Sequence, residues 1–175
     1  IIANGVPHNN WDLLQARYIM NVGLVLEDNK EYADGKGREY YIDYVLNRSG
    51  IRQWSLTRLA DYGFDAETGI WAECPGYSSV VINDYANFAN QFDNNLHYDL
   101  VKAMPVLSKA VAATPQYLFP NRMICGFGDT HPGYLNTNFF IRMIQNAQAN
   151  GKKEQEDYFT ALLKCLNPET DADKG

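Results

Sequence analysis

The chemistry-bearing residues of this chain fall in three short stretches. The first to stand out is Asp65-Ala66-Glu67-Thr68-Gly69-Ile70-Trp71-Ala72-Glu73-Cys74-Pro75-Gly76-Tyr77-Ser78, which sets an indole, a carboxylate and a phenol among helix breakers. A phenol exchanges a proton, a carboxylate orients its neighbours or caps backbone amides, and an indole offers both a flat face and an N–H. The breakers Gly69, Pro75 and Gly76 make this stretch a loop, and a loop on a rigid scaffold commonly carries a binding or catalytic site. Its plainer reading is a connector in which Trp71 and Tyr77 plug the core. The second stretch is Pro7-His8-Asn9-Asn10-Trp11-Asp12, an imidazole and two amides where a helix begins. The third runs from Phe119-Pro120-Asn121-Arg122 to Gly126-Phe127-Gly128-Asp129-Thr130-His131.

The elements that must position these residues are helices. Asn9 or Asn10 caps a helix over about 11–28, with Leu14, Tyr18, Val22 and Val25 at helical spacing and Asp12 in the first turn, where a carboxylate suits the positive end. A second helix follows through Tyr32, Tyr40, Tyr41, Tyr44 and Leu46, weakened early by Gly35 and Gly37. A third covers about 51–62 and a fourth, capped by Ser78 or Ser79, about 80–94. The fifth, about 98–113, bends or restarts at Pro105. A small hairpin or extended excursion is expected near 115–130, then helices from Asn136 or Thr137 to Asn150 and from about Glu154 to Leu166. The acidic tail Glu169 to Gly175 reads as frayed. The pattern is all-α: antiparallel helical hairpins in one domain, 1–175.

Composition narrows the partners. The formal charge is −6 and Lys152-Lys153 is the densest basic pair, so nucleic acid, which needs a basic stripe, is excluded. No apolar run approaches the roughly 18 residues of a membrane span. The opening Ile1-Ile2-Ala3-Asn4 has neither initiator Met nor signal-like regions, so the chain reads as a segment with any export signal upstream. Cys74, Cys125 and Cys165 form no CxxC pair, which argues against a zinc knuckle or disulfide framework and suggests buried thiols. Aromatic residues make up 13%, with 12 Tyr, which suits either a bulky helical core or a cleft that stacks sugars.

Taken in order and spacing, the three stretches resemble the catalytic helical domain of heparinase II/III-like and alginate-lyase-like polysaccharide lyases. The resemblance implies part of an (α/α) toroid, followed in the parent chain by a β-sandwich domain that contributes to the active site. It implies β-elimination on a uronate-containing acidic polysaccharide or oligosaccharide, with no cofactor and no metal in the eliminating step. An exported bacterial protein, periplasmic or secreted, goes with it. Carried over residue by residue, the catalytic amide falls on Asn9 or Asn10 and the catalytic phenol on Tyr77. Members often show an Asn-His order where this chain has His8-Asn9-Asn10, so both asparagines and His8 stay as candidates. Trp11, Trp71, Glu73, Arg122 and His131 are the candidate substrate contacts.

Those residue types suit the reaction. The hydrogen on C5 of a uronate is a poor acid while the adjacent carboxylate is ionised, and amide or imidazole donors disperse that charge as the enolate-like transition state forms. Tyr77 then serves as base at C5 or as acid at the leaving oxygen. A base role calls for cationic or donor neighbours, for which Arg122 and Arg52 are the candidates. The family's toroid needs more hairpins than fit here, so the isolated segment is expected to be an incomplete catalytic unit. Two other functions fit the same residues. An (α/α)-barrel glycoside hydrolase would oppose Glu73 and Asp129 across a cleft. A non-catalytic helical module would bind sugar or protein through its aromatics.

Overall fold

Apolar side chains at helical spacing gather into two separate cores. The computed structural model describes residues 5–167, and the chain divides into two compact units, Ile1–Ala66 and Glu67–Gly175. The described residues contain eight α-helices and no sheet, so the fold is all-α. The acidic tail lies outside the described residues. No described helix is long and apolar enough to cross a membrane.

The first unit holds α1 (Asn10–Val25), α2 (Arg38–Asn47) and α3 (Leu56–Gly63). Asn9 is the N-cap of α1, its side-chain oxygen accepting the Trp11 N–H at 2.9 Å. The buried face Leu13, Ala16, Ile19 and Met20 packs with Val45 and Leu46 of α2 and with Leu56, Leu59 and Ala60 of α3. α2 begins only after Gly37, because the Asn29 side chain accepts the Gly37 and Tyr40 amides and holds residues Asn29–Glu31 in a separate 3-10 turn. α3 starts at Leu56 under a Ser55 cap, later than the apolar pattern suggests.

The two residues before that cap, Gln53 and Trp54, are tied to α1 instead. Gln53 is fully buried and donates to the carbonyls of Asp12 and Trp54, while the Trp54 amide donates to the Asp12 carboxylate at 3.1 Å. Asp12 is 1% exposed, and burial pushes its carboxyl up from 3.8 to about 7, opposed by the Trp54 amide. The folded protein therefore binds a proton that the unfolded chain has released between about pH 4 and 7. Stability falls as pH rises through that window, by up to about 4 kcal/mol for a shift of this size. Asp12→Asn keeps an oxygen for the Trp54 amide without a charge. It should raise stability at pH 8 by about 1–3 kcal/mol and change nothing near pH 4. Urea unfolding at the two pH values checks this; equal gains at both would refute it.

The second unit is built on α4 (Pro75–Leu96), a helix of 22 residues. Its buried face Val81, Tyr85, Phe88, Ala89 and Phe92 meets α5 (Leu100–Ala103), α6 (Val106–Ala113) and α7 (Asn138–Ala149). Phe139, Phe140 and Met143 bring α7 into this core, and α8 (Lys153–Leu166) pairs with α7 and buries Phe159. Each fully buried Phe of this kind contributes about 1.5–3 kcal/mol. Polar ties fix the α4–α7 register: Asn146 and Asn150 donate to the Asp93 carboxylate, and the Arg142 guanidinium donates to the Asn83 side chain. The fifth helix does restart at Pro105. The excursion after α6 holds two isolated antiparallel bridges, Leu118 with Ile124 and Met123 with Tyr134.

Two expectations are corrected here. The 65–78 stretch is not loop throughout: α4 begins at Pro75, five residues ahead of the expected start, because proline suits the first helical position where its missing N–H costs nothing. Nor are the thiols uniformly buried. Cys74 and Cys125 are half-buried, Cys165 is exposed, and all three are free.

Candidate functional site

Moving the helix start to Pro75 changes what Tyr77 is. It stands in the first turn of α4, with its side chain 37% exposed, on backbone held by the helix rather than by a loop. The residue before the proline, Cys74, takes the N-cap position without a side-chain cap bond. Its sulfur instead gathers donors. Burial works against the thiolate, but the Thr130 hydroxyl and the amides of Tyr77, Asp129 and Gly76 outweigh it and hold the thiol below its usual value.

Those donors come from two of the three stretches. Thr130 accepts the Gly76 amide at 2.9 Å, linking the start of α4 to the Gly126–Gly133 loop. Gly128 sits in the left-handed region at φ 59, and an added Cβ would meet the Cys74 Cβ at 3.1 Å. The site is thus a helix N-terminus clasped by a glycine-rich loop, with Tyr77 on one side and the exposed Asp129 and His131 on the loop. Thr130→Val removes the acceptor of Gly76 and a donor to Cys74. It should cost about 1–2 kcal/mol and slow alkylation of Cys74 at neutral pH; thermal melts and iodoacetamide kinetics would show it.

Glu73 and Trp71 form a second pair. The Trp71 indole N–H donates to the Glu73 carboxylate at 2.7 Å, and the ring is only 3% exposed. The indole therefore holds Glu73 in place and has little face left for a ligand. Arg122 lies elsewhere in the unit, at the tip of the excursion with φ 65.

In the first unit, Asn9 spends its carbonyl oxygen as a cap, which leaves the amide N–H groups as donors. Asn10 is the first residue of α1 and is half-buried. Trp11 is 58% exposed. His8 is exposed at φ 55, a strained conformation for a residue with a Cβ. Its ring meets Trp54 edge-on at 5.0 Å, beside Tyr62, and the Arg58 guanidinium lies 4.0 Å from the Trp54 ring centre. Arg52 is exposed, in the segment before α3.

Sequence reasoning missed Cys74 and Thr130 as parts of this arrangement, and Trp54 and Arg58 as neighbours of His8. Pro75 was the available signal for the first pair, since a proline followed by a helical pattern marks the first turn. Among the described residues no group of three His, Cys, Asp or Glu side chains is placed to hold a metal ion.

A long helix offering an exposed phenol at its N-terminus is what the second unit presents, and the comparison with known families falls on that unit. Residues 67–172 match the family described as the endo-acting ulvan lyase second domain, and the chain belongs to that family. It is a polysaccharide lyase domain, and its substrate class is polysaccharide. The match starts at the residue where the second unit starts. No curated protein and no solved structure matches the chain.

Proposed function

We propose that this domain serves β-elimination on a uronate-containing glycan, with Tyr77 as the proton-transferring group. The observation that carries the reading is the exposed Tyr77 phenol on the first turn of α4, in the unit that the lyase family covers. In the reaction a proton leaves C5 and the C–H electron pair forms the C4–C5 double bond. The C4–O bond breaks and the departing oxygen takes up a proton. A phenol suits either transfer, and a helix N-terminus favours the negative charge that builds on the uronate.

Neutralisation of the uronate carboxylate is assigned on chemical grounds to Asn9 or Asn10 with His8. The cap bond of Asn9 leaves its N–H groups for an acceptor, so capping and neutralising are compatible. Glu73, held by the Trp71 indole, orients neighbours, and His131 is a glycan contact. A β-sandwich domain of the parent protein is the partner that completes the site, and export to the periplasm or medium fits a polymeric substrate. The test incubates the full-length parent with alginate, heparan-type and other uronic polysaccharides while following the ultraviolet absorbance of the new double bond. Reducing ends appearing without that absorbance would mean hydrolysis and would defeat the proposal.

A further inference from the structure

A cavity of about 280 Å³ opens between the excursion and the C-terminal end of α8. Its floor is apolar, from Leu118, Leu135 and Leu166, and its rim carries Arg122, Tyr134 and Asn167. Sites for drug-sized ligands run to roughly 300–1,000 Å³, so this one is sized for a single sugar ring. Tyr134 is exposed and offers an aromatic face of the kind that stacks on a pyranose. Asn167 donates its N–H to the Thr137 hydroxyl at 3.0 Å, leaving its carbonyl oxygen to accept from a sugar hydroxyl.

Arg122 sets the charge preference. The described lining contains no carboxylate, although the chain as a whole carries a formal charge of −6. Among the described residues no acidic side chain pairs with the Arg122 guanidinium. The backbone adds a second, independent point. Arg122 sits at φ 65 in a tight turn closed by its own amide to the Phe119 carbonyl at 2.8 Å and by the Phe119 amide to Met123 at 2.9 Å. Glycine or asparagine takes that conformation readily, and Asn121 stands one residue away; an arginine holds it only against strain. Strain kept at an exposed cation with no acidic partner among the described residues is the pattern of a residue retained for what it binds.

We propose that this cavity is a subsite for one uronate ring of the glycan, its carboxylate held by the Arg122 fork, its ring resting on Tyr134 and the leucine floor. It lies apart from the Tyr77 turn in residue content and deepens the lyase reading, on which the choice of an acidic sugar rests. Binding here positions the chain and moves no proton.

The test uses the isotope-labelled 175-residue chain and nuclear magnetic resonance titration with trimannuronate, with maltotriose as the neutral control. Trimannuronate should shift the amides of residues 118–124 and 133–137, and maltotriose should shift them far less. Arg122→Gly should weaken trimannuronate binding at least tenfold while melting no lower than the parent chain. Arg122→Gln, which keeps the strained backbone and loses the charge, should weaken it similarly. Equal shifts with maltotriose, no shifts at all, or a variant that binds within twofold of the parent would each overturn the subsite. Double-bond formation is followed separately. If the chain binds trimannuronate here and the full-length parent forms no double bond on uronic polysaccharide, the subsite stands and the lyase mechanism falls; double-bond formation by the parent with no shift at these amides does the reverse.

Discussion

Tyr77→Phe should lower the rate of double-bond formation by the full-length protein by at least about a hundredfold, the usual reach of a positioned acid or base. The fold should be untouched, and the structure says why. No hydrogen bond to the Tyr77 hydroxyl is made among the described residues, and the side chain is partly in solvent. Phenylalanine keeps the ring and removes only the oxygen, so no buried partner is stranded. A loss of rate with an unchanged melting temperature therefore reports on proton transfer. If the variant turns over uronic polysaccharide within a few-fold of the parent, Tyr77 is not the transferring group.

The largest structural effect is expected at Gly69. Its φ is 76, and an added Cβ would stand 2.5 Å from both the Ala110 nitrogen and the Lys109 carbonyl carbon. These are backbone atoms of α6, so no side chain can swing away to make room. Gly69→Ala pays twice, once for the left-handed backbone at about 1–2 kcal/mol and again for forcing the loop off the helix. A total of about 3–5 kcal/mol is expected, in the range reserved for changes that break packing. Gly35 supplies the control: it has φ 64 with nothing within 4 Å, so Gly35→Ala should show the backbone cost alone. Urea midpoints for the two variants separate the contributions. A Gly69 variant no worse than the Gly35 variant would mean that the loop relaxes freely.

Much of the architecture was legible because it rests on local signals. The helix α1 was legible from its period and from Asn9, which caps it with the bond its side chain is suited to make. Its buried face, however, is Leu13, Ala16, Ile19 and Met20 and not the expected Leu14, Tyr18, Val22 and Val25, of which the last three are exposed. Pro105 separates α5 from α6 for the reason any proline does. What escaped was nonlocal. Nothing in the spacing of residues 51–55 says that Gln53 and Trp54 will bond to Asp12, some forty residues earlier, and so delay α3. The Gly76–Thr130 bond likewise joins two stretches that are read separately in a sequence. The start of α4 escapes for another reason: Pro75 and Gly76 read as breakers, whereas position decides whether proline ends a helix or opens one. Of the candidate site, the residues of the first and third stretches meet at the α4 N-terminus, and Trp71 belongs to the core that supports it.

The bond between Thr130 and the head of α4 also fixes where motion can enter. Tyr77 stands in the first turn of a helix whose later turns bury Phe88 and Phe92, so its two side-chain torsions are the local freedom that aims the phenol. On the proposed mechanism, the oxygen that exchanges the proton is accordingly positioned from the interior. If Tyr77 is the transferring group, a change of volume deep beneath α4 would move the point of reaction without touching any residue proposed to meet the sugar, and the glycan would come to the phenol rather than the phenol to the glycan.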